Sequence, residues 1–336
     1  MDYEQLILSF TSIIYEALPF IVLGVIIAGL LEEFVPQQAI AKVIPSNRLL
    51  AIGLGGMLGL VFPMCECGII VVMKRLLRKG LPLGVCIAYM LAGPIINGIV
   101  MMSTYVAFNP PDPRDYILGG PLAVVAWRAG LAYVIAIVTG LIVEWQSREH
   151  GRELLHPSVT RGLKDPAVEA EERAIATRSW GERLNNITQT ALHDFVDILA
   201  FLVLGAILAS GGKFLLQGSN FQGFIEQTPG AAIIMMMGIA VLFCLCSEAD
   251  AFVAANFPLF WPPSSKLAFL VLGPMLDLKL ALMYTRVFRP RLILTIILSV
   301  VIQVFIYTTL IHYLLPTTEN VGTFESLYQR WFGSAP

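Results

Sequence analysis

A helix must carry about 20 consecutive apolar residues to cross the hydrocarbon of a bilayer. This chain has eight stretches of that length: Leu6–Leu31, Leu49–Met73, Leu81–Phe108, Ile117–Val143, Ala191–Ser210, Ala231–Phe257, Leu267–Val287 and Leu292–Leu315. Backbone polar groups find no water in lipid, so such stretches must be helical or lie in a closed barrel. Unbroken apolar runs, rather than short alternating ones, select helices. Composition points the same way. Hydrophobic residues are 57% of the chain and charged ones 14%, against about 45–50% and about 25% for a soluble domain. A net charge of −2 leaves no basic footprint for nucleic acid. An ordinary soluble enzyme, a disordered chain and a nucleic-acid binder are thereby excluded. The flank Met1-Asp2-Tyr3-Glu4 is acidic where a cleaved signal needs basic residues. The five cysteines, four of them in two C-x-C pairs, do not form the even set of a disulfide framework.

The expected organisation is a membrane segment over 1–144, a polar connector over 145–189, a second membrane segment over 190–316 and a tail over 317–336. Lys and Arg collect on the cytoplasmic side of membrane proteins. The rich loops here are Lys74-Arg75-Arg78-Lys79, the connector and Arg286-Arg289-Arg291. Eight simple crossings cannot put all three on one side. The conflict disappears if stretches two and six are re-entrant, each broken in the middle. Phe62–Gly68, with Pro63, and Phe243–Asp250 are the expected breaks, since proline lacks the donor a helix interior requires. The rival arrangement has eight true crossings and a parallel repeat.

The two halves resemble each other. Phe20, Leu23, Gly24 and Ala28 recur as Phe201, Leu204, Gly205 and Ala209, and Phe62 and Cys65 as Phe243 and Cys246, all at an offset of 181. Ala88, Gly93 and Pro94 recur as Ala268, Gly273 and Pro274 at 180. The charge bias reverses between halves. The fold class is therefore an all-α polytopic membrane protein with an internal duplication, as inverted repeats with re-entrant broken helices. In such transporters the site lies near the midplane between broken helices.

Cysteine thiolate is a soft ligand that selects thiophilic ions. Cys65, Cys67, Cys244 and Cys246, with the carboxylates of Glu66, Glu248 and Asp250, form the candidate binding set. The competing reading is that free cysteine is a small buried hydrophobe, and it stands for Cys86, which has no repeat partner. A second pair of breaks, at Gly93-Pro94 and Gly273-Pro274, is followed by Asn97 and Asp277, which add side-chain oxygens. A packing kink explains those breaks equally well. Carboxylates at bilayer depth are functional candidates. Glu16 and Asp197, at matched positions, are candidates for coupling, or else solvated at the interface. Arg128, also a coupling candidate, would pair with a carboxylate or attract an anion. Lys279 is expected to snorkel. Gly53, Gly55, Gly56 and Gly59 would let helices approach closely.

The pattern Pro63-x-Cys65-x-Cys67-Gly68, with Ala92-Gly93-Pro94-x-x-Asn97 following, resembles the ArsP-like family of predicted bacterial permeases. Cys246–Ala255 and Leu272–Lys279 are similar to one branch of it. The resemblance implies a multi-pass protein of the bacterial plasma membrane that exports a thiophilic metal or a trivalent organoarsenical. It departs from the commoner Cys-Ser-Cys in having Glu66 between the cysteines. That mixture of sulfur and carboxylate leans towards a borderline metal such as zinc. No P-loop motif is present, so coupling would come from an ion gradient, protons first, or from an accessory protein. The expected function is thus a permease rather than an enzyme, with no cofactor beyond a metal carried as substrate. Its partners would be lipid, a small inorganic or organometallic substrate, and an accessory protein or further copies of itself. The alternatives are a transporter of a small sulfur-containing anion, with Arg128 as counter-charge, and a membrane thiol-disulfide oxidoreductase. C-x-x-C, rather than C-x-C, is the usual redox spacing.

Overall fold

The computed structural model describes residues 45, 47–61, 64, 66–78, 80–109, 120–150, 154–155, 180–216, 229–255, 257 and 261–314, together with twelve positions between 7 and 30, all helical. Of the sequence expectations, those on Pro63, Cys65, Glu16, most of the connector and the tail lie outside the described residues, as do the side chains of Cys67 and Asp197. Eleven further helices are described: α1 Arg48–Val61, α2 Glu66–Arg78, α3 Leu83–Ala92, α4 Gly98–Ala107, α5 Pro121–His150, α6 Trp180–Leu216, α7 Pro229–Phe243, α8 Ala249–Ala255, α9 Pro263–Leu272, α10 Leu278–Tyr284 and α11 Pro290–Leu314. No strand occurs among the described residues, only an isolated bridge between Leu155 and Phe288.

Three of these helices are long, α5, α6 and α11, with α6 the longest at 37 residues, and the others have 15 residues or fewer. At about 1.5 Å per residue, α5 and α11, with 30 and 25 residues, exceed the roughly 30 Å of hydrocarbon. Both are also apolar enough to cross it. The ten-residue helices α3, α4 and α9 reach about half that depth. They sit inside stretches three and seven, which the sequence presents as continuous apolar runs. The interruptions fall at Gly93 and Gly273. At each, two amides turn back onto one carbonyl: Ile95 and Ile96 onto Ala92 O, and Met275 and Leu276 onto Leu272 O. Helices α3 and α9 both follow a proline, Pro82 and Pro262, with ψ near 140°. Stretches two and six are also divided: α1 ends at Val61 and α2 begins at Glu66, and α7 ends at Phe243 and α8 begins at Ala249.

Packing groups α1, α3 and α5 together, and likewise α7, α9 and α11. Close backbone approach makes the first group dense. A Cβ on Gly59 would stand 2.5 Å from Gly93 Cα, and one on Gly55 2.8 Å from Val85 O, so α1 lies directly on α3. Gly84 and Gly140 do the same between α3 and α5, each Cβ position under 3 Å from the other residue's carbonyl oxygen. Gly53 and Gly56 instead make room for the ring of Tyr133, whose hydroxyl donates to Gly53 O at 3.1 Å. The long helices α5 and α11 pack on each other. They are pinned by polar groups that lipid could not satisfy. Thr139 Oγ1 lies 2.9 Å from Ser299 Oγ, and Gln303 Nε2 donates to both hydroxyls.

Several contacts fix which ends meet. Glu144, near the end of α5, accepts from Gly84 N–H at the start of α3 and pairs with Arg48 at the start of α1, at 3.8 Å. Its negative charge near the positive end of α3 is favourable. Beyond α5, Leu154 O accepts from Arg289 N–H, beside the Leu155–Phe288 bridge. The connector's start therefore touches the turn carrying Arg286–Arg291. At the opposite end of α11, His312 Nδ1 lies 3.1 Å from Ser264 Oγ at the start of α9.

Candidate functional site

The breaks supply the site. A helix N-terminus presents unsatisfied N–H groups and partial positive charge, and four helices begin at candidate residues. Glu66 opens α2 and Asp250 lies in the first turn of α8. Asn97 caps α4, its Oδ1 accepting from Ile99 N–H at 2.9 Å. Asp277 caps α10, its Oδ1 accepting from Leu280 N–H at 2.6 Å. Part of the reason for these residue types is thus helix initiation. The packing then crosses between halves: α2 lies against α10, and α4 against α8.

The α4–α8 pair is closed by Arg128 of α5. This guanidinium, 2% exposed, donates from one terminal nitrogen to both oxygens of Asp250, at 2.8 and 2.7 Å. It also reaches Thr104 Oγ1 at 2.7 Å and Ser247 O at 3.1 Å. Of the two expectations for Arg128, pairing with a carboxylate is the one seen. Its carboxylate is Asp250, which is correspondingly engaged. Glu248 is different. Both its carboxylate oxygens are buried and accept no hydrogen bond among the described residues, and the same holds for Ser247 Oγ. Glu248 lies within electrostatic reach of Asp250, a like charge.

The α2–α10 pair contains Asp277, fully buried, and Glu66, 1% exposed, both within electrostatic reach of Tyr284. The Tyr284 hydroxyl itself donates to Met275 O at 3.0 Å. Lys279 does not snorkel. Its Nζ is held 3.3 Å from Asp277 Oδ2 and 3.3 Å from Cys244 O. The cause is burial: Lys279 sits one residue into α10 and is 1% exposed, with an acid and a carbonyl oxygen beside it in the interior. Cys244 takes φ +49°, a left-handed conformation rare for a residue with a Cβ. Such strain persists only where surrounding structure imposes it.

Cys244 and Cys246 are buried free thiols, as is Cys86. Among the described residues no group of three or more His, Cys, Asp or Glu is close enough to hold a metal; Cys65 and the Cys67 side chain, half of the expected sulfur set, lie outside them. The arrangement brings Cys244 within electrostatic reach of Asp277 and Lys279. Thr104, Ser247 and Tyr284 are polar residues of these clusters that sequence reasoning missed. Nothing in the order of the chain pairs Thr104 with Arg128, whereas a lysine two residues after a buried aspartate was a readable signal for an ion pair.

Comparison with known proteins adds the family context. Residues 3–313 match the ArsP_1 family, described as a predicted permease. The UPF0718 protein YcgR of Bacillus subtilis (strain 168) is 36% identical over 303 residues, covering 90% of this chain and 95% of that protein. A Streptococcus mutans protein (strain UA159), named as a subunit of a two-component membrane permease complex, is 29% identical over 91% of this chain and 95% of its own. The UPF0718 protein YraQ of Escherichia coli (strain K12) is 26% identical over 55% of this chain and 47% of its own. No solved structure matches.

Proposed function

The chain belongs to the ArsP_1 family of predicted permeases, and we propose that it carries a thiophilic cation, zinc-like rather than arsenical, across the bacterial plasma membrane. The observation that carries this reading is Glu248. Its two carboxylate oxygens are buried and without hydrogen-bond partners among the described residues, two positions beyond Cys246 at a helix break. A carboxylate at that depth is expensive unless a positive charge meets it. A borderline cation satisfies both the carboxylate and neighbouring thiols. The bidentate hold of Asp250 on Arg128 leaves that cation engaged, which disfavours the sulfur-anion alternative. The reading is one of transport rather than catalysis, and of a metal as substrate rather than cofactor.

The transporter is built from inverted halves, with re-entrant stretches two and six, and works by alternating access. Matched breaks at Gly93 and Gly273, with matched caps at Asn97 and Asp277, support the duplication. Inversion is supported by the ends that meet. Helix α3 starts beside the end of α5 and α9 beside the end of α11, while the end of α5 lies by the start of α11. Equivalent helices thus run in opposite senses. The starts of α1 and α3 both lie at Glu144, so the α1–α2 segment leaves and returns on one side. The direction is export, as the family resemblance implies. By analogy with the Streptococcus mutans relative, an accessory protein completes the system.

The experiment is zinc flux in vesicles containing the purified chain and a zinc-sensitive dye. Zinc should cross faster than in protein-free vesicles, with cadmium competing and thiosulfate not. Thiosulfate uptake into the same vesicles without any zinc flux would transfer the assignment to the anion reading.

A further inference from the structure

The reading above gives Lys279 no task. The residue is 1% exposed, and its ammonium faces the carbonyl oxygen of Cys244 and Asp277 Oδ2, each at 3.3 Å. Both distances are long for a charge-assisted N–H···O bond, which runs about 2.7–2.9 Å. Asp277 Oδ2, though buried, has no hydrogen bond among the described residues; its other oxygen caps α10. The Cys244 carbonyl comes from a backbone at φ +49°. A loop held against its own preference thus faces a carboxylate oxygen across the space the ammonium fills. Transporters hold ions near mid-depth on carbonyl oxygens of unwound segments, and carboxylates at that depth mark ion pathways. The Cys244 thiol, on the same residue, gives this position its soft character.

We propose that Lys279 is a tethered competitor: in the unloaded transporter its ammonium occupies the cation position formed by Cys244 O and Asp277 Oδ2, and the substrate cation must displace it. This rests on the proposed cation-transport function and adds a specificity-determining residue to it. The arrangement does two things. It neutralises Asp277 in the empty carrier, so that this carboxylate is not left bare in low dielectric. It also lowers apparent affinity by the fraction of sites the lysine holds, which favours release.

The test uses zinc alone, titrated calorimetrically into the purified full chain. Lys279→Met removes the competitor, so zinc should bind at least about tenfold more tightly, while flux at saturating zinc slows. Lys279→Arg keeps the charge but grips a carboxylate with a planar fork, so zinc should bind about tenfold more weakly. A structural lysine would not give shifts of opposite sign. Zinc affinity in Lys279→Met equal to or weaker than wild type overturns the proposal. Should that variant fail to fold, unchanged affinity in Lys279→Arg overturns it alone. Absence of zinc binding by the wild-type protein would overturn the cation reading itself, and this proposal with it.

Discussion

Replacing Arg128 with methionine should destabilise the protein by about 3–5 kcal/mol, the usual penalty for removing one partner of a buried ion pair. Native stability is only about 5–15 kcal/mol, so the variant should express poorly and melt well below wild type. The cause is what remains. Asp250 loses both of its short hydrogen bonds to the guanidinium and stays buried, and Thr104 Oγ1 and Ser247 O lose their donor. Most of the penalty is therefore a stranded carboxylate. The double variant Arg128→Met with Asp250→Leu removes the stranded charge and should recover much of the loss, since apolar replacements of buried pairs are often near neutral. Thermal melting of the two single variants and the double variant in detergent closes the cycle. A double variant no more stable than either single would show that the pair is not coupled.

Asp277→Asn should keep the cap of α10, lower stability by stranding the buried Lys279 charge, and stop transport. Asparagine caps helices as well as aspartate does, so the bond from Leu280 N–H survives, and Asn97 already performs that task at the start of α4. What disappears is the charge on Oδ2. A cation at this position would lose a carboxylate ligand and Lys279 its counter-charge. Zinc affinity and flux should fall at least about 100-fold, the roughly 3 kcal/mol that follows loss of one partner from a buried charged set. Normal flux in a well-folded Asp277→Asn variant would remove Asp277 from the site.

Much of this architecture could be read in the sequence because its causes are local. Proline and glycine interrupt helices through their own backbone chemistry, so Gly93-Pro94 and Gly273-Pro274 were legible as breaks. Asn97 and Asp277, three residues beyond each proline, were legible as oxygen donors, although their capping role emerged only with the helix starts. The glycines of the first group were legible as contact points, but not their division of labour, with Gly55 and Gly59 against α3 and Gly53 and Gly56 against a tyrosine ring. Partnerships across the chain were not legible. Arg128 could have met any of several acids; its choice of Asp250 depends on how α4, α5 and α8 pack. Lys279 was misread because snorkelling is a rule for helix ends near an interface, whereas α10 begins in the interior beside a buried acid. The left-handed turn at Cys244 had no signal at all, since cysteine carries no preference for it.

The central claim is that thiols and carboxylates at the helix breaks hold a thiophilic cation. The direct measurement is equilibrium zinc binding to the purified full chain, for wild type and for a variant with Cys65, Cys67, Cys244 and Cys246 all changed to serine, at matched expression. Thiolates bind only when deprotonated, so wild-type binding should release protons and weaken as pH falls. The account predicts that the cysteine-free variant retains its melting behaviour and loses at least about 100-fold in zinc affinity, as expected when soft ligands are replaced by neutral hydroxyls. Undiminished zinc affinity in that variant would contradict the account.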